Sequence, residues 1–182
     1  IITLPIFLLV IVLIKLEDGG TVFYSQERIG KNGLIFKILK FRSMKIDAEK
    51  DGPVWSKKGD KRITKIGKLL RISRIDELPQ LFCVLKGEMS LIGPRPERPE
   101  IEKNLEKEIP YYSYRRALKP GLSGWAQVNY PYGASLEDSK EKTSYDIFYI
   151  ENFSTILDMI IFFKTIKLVF NLKGAVPKSR ID

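Results

Sequence analysis

Arg74-Ile75-Asp76-Glu77-Leu78-Pro79-Gln80 is the junction on which the reading of this chain turns, and Gly93-Pro94-Arg95-Pro96 follows a short way beyond it. Upstream, Thr64 is placed to cap a helix running to Arg74. Ile66, Leu69, Leu70 and Ser73 fall on one face of it, and Lys65, Lys68, Arg71 and Arg74 largely on others. Downstream, Asp76 reads as the N-cap of a second helix, with Pro79 in its first turn and Gly87 near its end. That register puts Asp76 where unpaired backbone N–H groups converge and the helix dipole is positive, a setting that binds anions. An Asp at a helix start with a Glu in the first turn is also ordinary capping chemistry. What distinguishes this pair is its company, since Arg71 and Arg74 bring cations beside both carboxylates. A carboxylate flanked by cations stays ionised and is able to attack phosphorus. A neighbouring Glu suits Mg²⁺, which takes one or two carboxylates and draws its other ligands from substrate phosphates.

The 182 residues contain no histidine, which excludes a Ser-His triad, a His-ligated zinc and a His proton shuttle. Any chemistry falls to carboxylates, lysines, arginines or tyrosines. The chain carries 31 basic against 22 acidic residues, a net charge of +9. The excess is concentrated between Arg28 and Arg74, where fifteen Lys and Arg face four Asp and Glu. A field of that sign attracts the phosphates of nucleotides, nucleic acid or lipid headgroups. Arg95 stands between Pro94 and Pro96, whose rings fix φ and preset its backbone, and its guanidinium forks naturally onto a phosphate. A rigid surface turn with an incidental arginine has the same sequence. Lys40 and Arg42 close a predicted basic strand and are open to the same two readings. Tyr111, Tyr112 and Tyr114 are able to stack on a base, pack, or sit at a membrane interface. Nucleic acid ranks last among the phosphate partners, because there is no zinc spacing, no RNP-like aromatic strand and no clear helix-turn-helix pattern.

The remaining stretches set the fold class. Ile1 to Leu16 is apolar except for Thr3 and Lys15, and as a helix it reaches about 24 Å against a hydrocarbon core of roughly 30 Å. Pro5 would break or kink any helix extending upstream. The run reads either as the end of a transmembrane helix or as half of a bent helix that enters and leaves on one face. The start at Ile1, with no methionine, reads as a piece of a longer protein. Thr21 to Tyr24 is a predicted strand, Lys31-Asn32-Gly33 a hairpin turn, and Leu34, Phe36 and Ile38 alternate behind it. Asp47 to Asp60, with Trp55, reads as a loop with a helical turn. Helices are expected from Pro99 to Ile109 and from Ser135 to Ile150, with the turn-rich Lys119 to Trp125 between them. Ile156 to Phe170 is apolar nearly all round and is either core or bilayer-facing. Cys83, in an apolar run, reads as a small buried hydrophobe; one cysteine forms no internal disulfide. The whole is α+β, mainly helical, with a small β-hairpin.

Several stretches, in order, resemble the bacterial sugar transferases, the monotopic polyprenyl-phosphate phosphoglycosyl transferases. They are Arg28-Ile29-Gly30, Phe36 through Met44, Asp76 to Leu81, Gly87 to Pro96 and Lys119 to Val128. The resemblance implies a ping-pong reaction in which Asp76 attacks the sugar-bearing phosphate of a UDP-sugar, expels UMP, and passes the phosphosugar to undecaprenyl phosphate. It implies that Glu77 is the acidic partner associated with Mg²⁺. It further implies substrate contacts at Lys40, Arg42, Arg71, Arg95 with Pro94 and Pro96, Lys119, Gln127 and Asn129. It also implies a re-entrant helix broken near Pro5. The expected division is a membrane-embedded segment 1–16 and a catalytic domain 17–182 on the cytoplasmic face of the bacterial inner membrane. Expected partners are the UDP-sugar, undecaprenyl phosphate and membrane lipids, with no nucleic acid and with a homo-oligomer left open. Where smaller relatives continue after Asn129 with Gly-Arg-Asn, this chain has Tyr130-Pro131-Tyr132-Gly133-Ala134-Ser135, closer to exopolysaccharide-type members. The sugar is not readable; glucose and galactose lead, with N-acetylated sugars open. The alternative from another class is a non-catalytic basic membrane-docking module of a glycan-assembly complex.

Overall fold

A computed structural model describes residues 4–50, 52, 54, 59–131, 133 and 135–171. Helix α1 (Leu4–Asp18) carries Pro5 in its first turn, where the missing N–H is no loss. The segment upstream of Pro5 that a re-entrant helix needs lies outside the described residues, as do Trp55 and the end of the chain. Gly19, at φ 69°, takes the left-handed conformation that stops α1.

Strands β1 (Phe23–Ile29) and β2 (Ile35–Phe41) form the expected antiparallel hairpin, although β1 starts later and runs further than Thr21 to Tyr24. The turn is a single 3-10 turn with Asn32 at φ 56°, a conformation Asn tolerates better than most residues. On β2 the period of two puts Phe36, Ile38 and Lys40 on one face. Phe36 and Ile38 pack with Cys83 and Met89, while Phe41 joins Val10, Ile14 and Leu70. Leu34 is exposed, so the buried alternation begins only at Phe36.

Thr64 caps α2 (Lys65–Ile72), its hydroxyl accepting from the Gly67 N–H. Leu70 is buried beneath α1, but Leu69 is largely exposed, so the two do not share one buried face as the sequence pattern suggested. Gly67 lies against the Ser43 carbonyl so closely that a Cβ would collide with it. The second helix does not begin at Asp76. Arg74 adopts a left-handed conformation (φ 60°), Ile75–Gln80 forms a 3-10 segment, and the α-helical part, α3, spans only Leu81–Leu85. Pro79 lies inside the segment and contributes no N–H to it. Asp76 therefore does not stand at the N-terminus of an α-helix, and no α-helix dipole acts on it there.

Strand β3 (Ser90–Ile92) pairs in parallel with β4 (Gly121–Ser123), a contact that the turn-rich sequence hid. Gly93, Gly121 and Gly124 meet backbone to backbone there. Helix α4 (Pro99–Glu108) precedes a 3-10 segment, Tyr112–Ala117, and both bury Leu105, Ile109 and Tyr112. Short α5 (Trp125–Asn129) follows β4. Helix α6 (Leu136–Glu151) starts at a capping box between Ser135 and Asp138. Helix α7 (Thr155–Phe170) packs Leu157 and Ile161 against Tyr149 of α6, yet Ile156, Phe163 and Phe170 are exposed. It is thus core along one edge only. The fold is mainly helical with a small antiparallel hairpin. Among the described residues no helix is long and apolar enough to cross a membrane.

Candidate active site

The carboxylate pair sits where β2, α2 and the 3-10 segment meet. Asp76 and Glu77 are each only 8% exposed. Such burial disfavours charge, and the two acids answer it differently because their partners differ. Glu77 Oε1 accepts from Lys40 Nζ at 2.9 Å and from Arg95 Nη2 at 2.5 Å, and Oε2 faces Arg74 Nη1 at 3.6 Å. Burial pushes the Glu77 carboxyl upward, but Arg95, Lys40 and Arg74 together hold it well below the usual carboxylate range. Asp76 lies beside that anion. Burial first, and then the Glu77 charge, raise it to about 6 against the opposing pull of Lys40, Arg71 and Arg74. Its Oδ1 is buried and has no hydrogen-bond partner among the described residues.

An orphaned buried carboxylate oxygen is destabilising, and in native proteins such groups concentrate where chemistry needs them. The arrangement is therefore a fixed anion at Glu77, three cations around it, and one unsatisfied carboxylate oxygen at Asp76. It suits binding a diphosphate and attacking phosphorus, because phosphoryl transfer asks chiefly for positioning and positive charge.

Each expected site residue has a definite place. Lys40, at the end of the buried face of β2, and Arg95 reach Glu77 directly. Arg71 donates from Nε to Ser43 Oγ at 2.9 Å, and its charge is felt at Asp76. Pro94 and Pro96 are buried on either side of Arg95. Arg42 is engaged elsewhere. Its guanidinium binds both carboxylate oxygens of Asp18 and the carbonyls of Thr21 and Met44, which locks the end of α1 to β2. Gln127 Nε2 bonds the Leu122 carbonyl at 3.0 Å. Asn129 donates to the Trp125 carbonyl and accepts from Lys164 Nζ at 2.6 Å, so both brace α5 against its neighbours. Lys119 is exposed next to Gly87.

The family model described as bacterial sugar transferase matches residues 1–172. The chain belongs to the bacterial sugar transferase family. A UDP-N-acetylgalactosamine-undecaprenyl-phosphate N-acetylgalactosaminephosphotransferase of Aeromonas hydrophila is 49% identical over 171 residues, covering 94% of this chain and 40% of that protein. A UDP-glucose:undecaprenyl-phosphate glucose-1-phosphate transferase of Xanthomonas campestris pv. campestris is 40% identical over 174 residues, covering 94% of this chain and 36% of the relative. The chain thus spans well under half of either. It spans 84% of the exopolysaccharide production protein PSS of Rhizobium leguminosarum bv. phaseoli, at 40% identity.

As a bacterial sugar transferase, the chain offers a magnesium ion two adjacent carboxylates, one deprotonated and one with a free oxygen. Among the described residues no three Asp, Glu or Cys come together as a metal cage. That donor set fits Mg²⁺, which completes its shell with water and substrate phosphate, and does not fit a self-sufficient site. Arg74, expected beside the carboxylates but not among the substrate contacts, faces Glu77 directly. Its signal is local: it follows the basic helix α2 by two residues and precedes the acidic pair by two, and its left-handed backbone makes the turn between them.

Proposed function

We propose that this chain is the catalytic unit of a transferase that moves a sugar-1-phosphate from a UDP-sugar to undecaprenyl phosphate through a covalent aspartyl intermediate. The observation that carries the reading is the buried, unpartnered Asp76 Oδ1 beside a Glu77 engaged by Lys40, Arg95 and Arg74. In the first step Asp76 attacks the sugar-bearing phosphorus, an acyl–phosphate bond forms, the diphosphate P–O bond breaks, and UMP departs with the electron pair. In the second, a phosphate oxygen of undecaprenyl phosphate attacks the same phosphorus and the Asp76 carboxylate is regenerated. Lys40, Arg71, Arg74 and Arg95 hold and neutralise the phosphates. Magnesium bound at Glu77 with the donor phosphates would supply further positive charge to the diphosphate oxygens.

On this reading the chain works at the cytoplasmic face of the inner membrane, with α1 seated in the lipid. Support comes from the exposed apolar side chains of α1 (Leu8, Leu9, Val12 and Leu16), with Phe82 and Leu85 on α3 and much of α7 also exposed. The Phe7 and Phe82 rings are in edge contact, which joins α1 and α3 in one apolar surface. UDP-N-acetylgalactosamine heads the donor candidates, because the relative at 49% identity is named for it and the glucose-named relative stands at 40%.

The test uses the chain in nanodiscs with Mg²⁺ and a panel of UDP-sugars but no lipid acceptor. Stoichiometric UMP release with a phosphosugar adduct mapping to Asp76, discharged by added undecaprenyl phosphate, is the expected result. UMP release only in the presence of the acceptor, with no adduct, would replace the covalent route by direct displacement. No UMP from any donor would leave the docking-module alternative.

A further inference from the structure

Arg95 stands in a segment whose backbone is held at four consecutive carbonyls. The Pro94 carbonyl accepts from the Gly121 N–H at 2.9 Å, and the Glu97 carbonyl from the Ile29 N–H at 3.0 Å. Between these backbone bonds, two arginines take the middle positions. Arg115 Nη2 donates to the Arg95 carbonyl at 2.8 Å, and Arg28 Nη1 to the Pro96 carbonyl at 3.1 Å. Pro94 and Pro96 have no N–H to compete for these acceptors.

Arg115 is itself locked. Its Nε donates to Asp146 Oδ2 at 2.7 Å and its Nη1 to the Tyr112 hydroxyl at 2.7 Å, with the guanidinium 4.9 Å from the Tyr112 ring centre. Asp146, on α6, is 2% exposed. A buried ion pair adds little net stability over a well-packed apolar pair, and Arg28 leaves its Nε buried without a partner among the described residues. What this costly arrangement achieves is placement. It fixes the base of the Arg95 side chain, whose far end lies on Glu77.

We propose that Arg115, braced by Asp146 of α6, and Arg28 of β1 are positioning residues that hold Arg95 in place for the donor step. They touch no reacting atom and act on the donor step through Arg95. The inference rests on the phosphoglycosyl-transfer reading above.

The experiment is a double-mutant cycle on UMP release in nanodiscs that contain undecaprenyl phosphate, begun only once the wild-type chain releases UMP. Failure at that first stage refutes the transfer reading; every later outcome bears on positioning alone. Arg115→Lys keeps the charge and loses the fork, and is expected to lower kcat/KM for the donor by about 10- to 100-fold. Arg28→Lys is expected to act in the same direction and more weakly. In an Arg95→Ala background the Arg115→Lys change should add less than about twofold, because the residue it positions is gone. Multiplying losses in the double variant, or an unchanged donor step in Arg115→Lys, would overturn the proposal. So would activity that follows the folded fraction one for one in both single variants, since that marks a structural role only.

Discussion

Asp76 and Asp146 are both buried aspartates near arginines, and they are finished in opposite ways. Asp146 meets Arg115 in a closed, directional contact; burial raises its carboxyl too, but here Arg115 opposes that shift by direct hydrogen bond, and the same contact holds the guanidinium protonated. Asp76 feels the charges of Lys40, Arg71 and Arg74, shares its neighbourhood with a second anion, and retains one oxygen with no hydrogen-bond partner among the described residues. The difference separates scaffold from chemistry: the satisfied acid fixes a backbone, and the unsatisfied one is held ready for a partner the protein does not itself provide.

The sharpest way to break this contrast is to neutralise each acid in turn. Asp76→Asn should abolish UMP release, by on the order of 10⁴-fold or more, because an amide is no nucleophile. The same change should raise the melting temperature, since the buried charge it removes is opposed by burial and by Glu77. The gain is roughly 3 kcal/mol at most near neutral pH. Asp146→Asn should do the reverse and lower stability by about 3 kcal/mol or more, because it leaves Arg115 buried and unpaired. If both variants moved the melting temperature the same way in thermal denaturation, the contrast would collapse.

The pH dependence sharpens it further. Asp76 must be deprotonated to attack, so the single-turnover rate of UMP release should climb as pH rises through about 6 and level off above neutrality. Stability runs the other way. The folded carboxyl binds its proton more tightly than the unfolded one, so the Asp76 contribution is full below about 4 and is lost as pH rises through about 6. In Asp76→Asn that segment of the stability curve should be flat. The smallest effect separates two arginines that the motifs treat alike. Arg95→Ala should weaken the donor step by far more than its loss of a Glu77 partner lowers the melting temperature, whereas Arg42→Ala should lower the melting temperature by a few degrees and leave the donor KM within about twofold. A donor KM that rose sharply in Arg42→Ala would return that residue to the phosphate site.

Much of this is legible in the sequence because local chemistry specifies it. Thr64, Pro99 and Ser135 start their helices where capping rules put them. The acidic pair also has the cationic company that Arg71 and Arg74 suggest. The start of the second helix is not legible, because Asp76 has the composition of an N-cap. The left-handed turn at Arg74 that moves it inside the segment has no glycine to announce it. The parallel β3–β4 contact joins residues some thirty positions apart through glycine backbones, and neither three-residue strand has a period to detect. Arg42 is indistinguishable from Lys40 as a basic residue near a strand end; only the position of Asp18 decides between them.

That tie from Arg42 to Asp18 also governs how the protein can be made tractable. Glu17 Oε1 accepts from the Ile66 N–H at the start of α2, and Val10 and Ile14 share a core with Phe41 and Leu70. Helix α1 is therefore part of the core on which α2 and β2 are built and not a detachable segment. Deleting it to gain solubility would open the core under α2 and loosen Arg71. A water-soluble variant is better sought by recolouring its outward face, at Leu8, Leu9, Val12 and Leu16, while Val10, Ile14, Glu17 and Asp18 are left as they are.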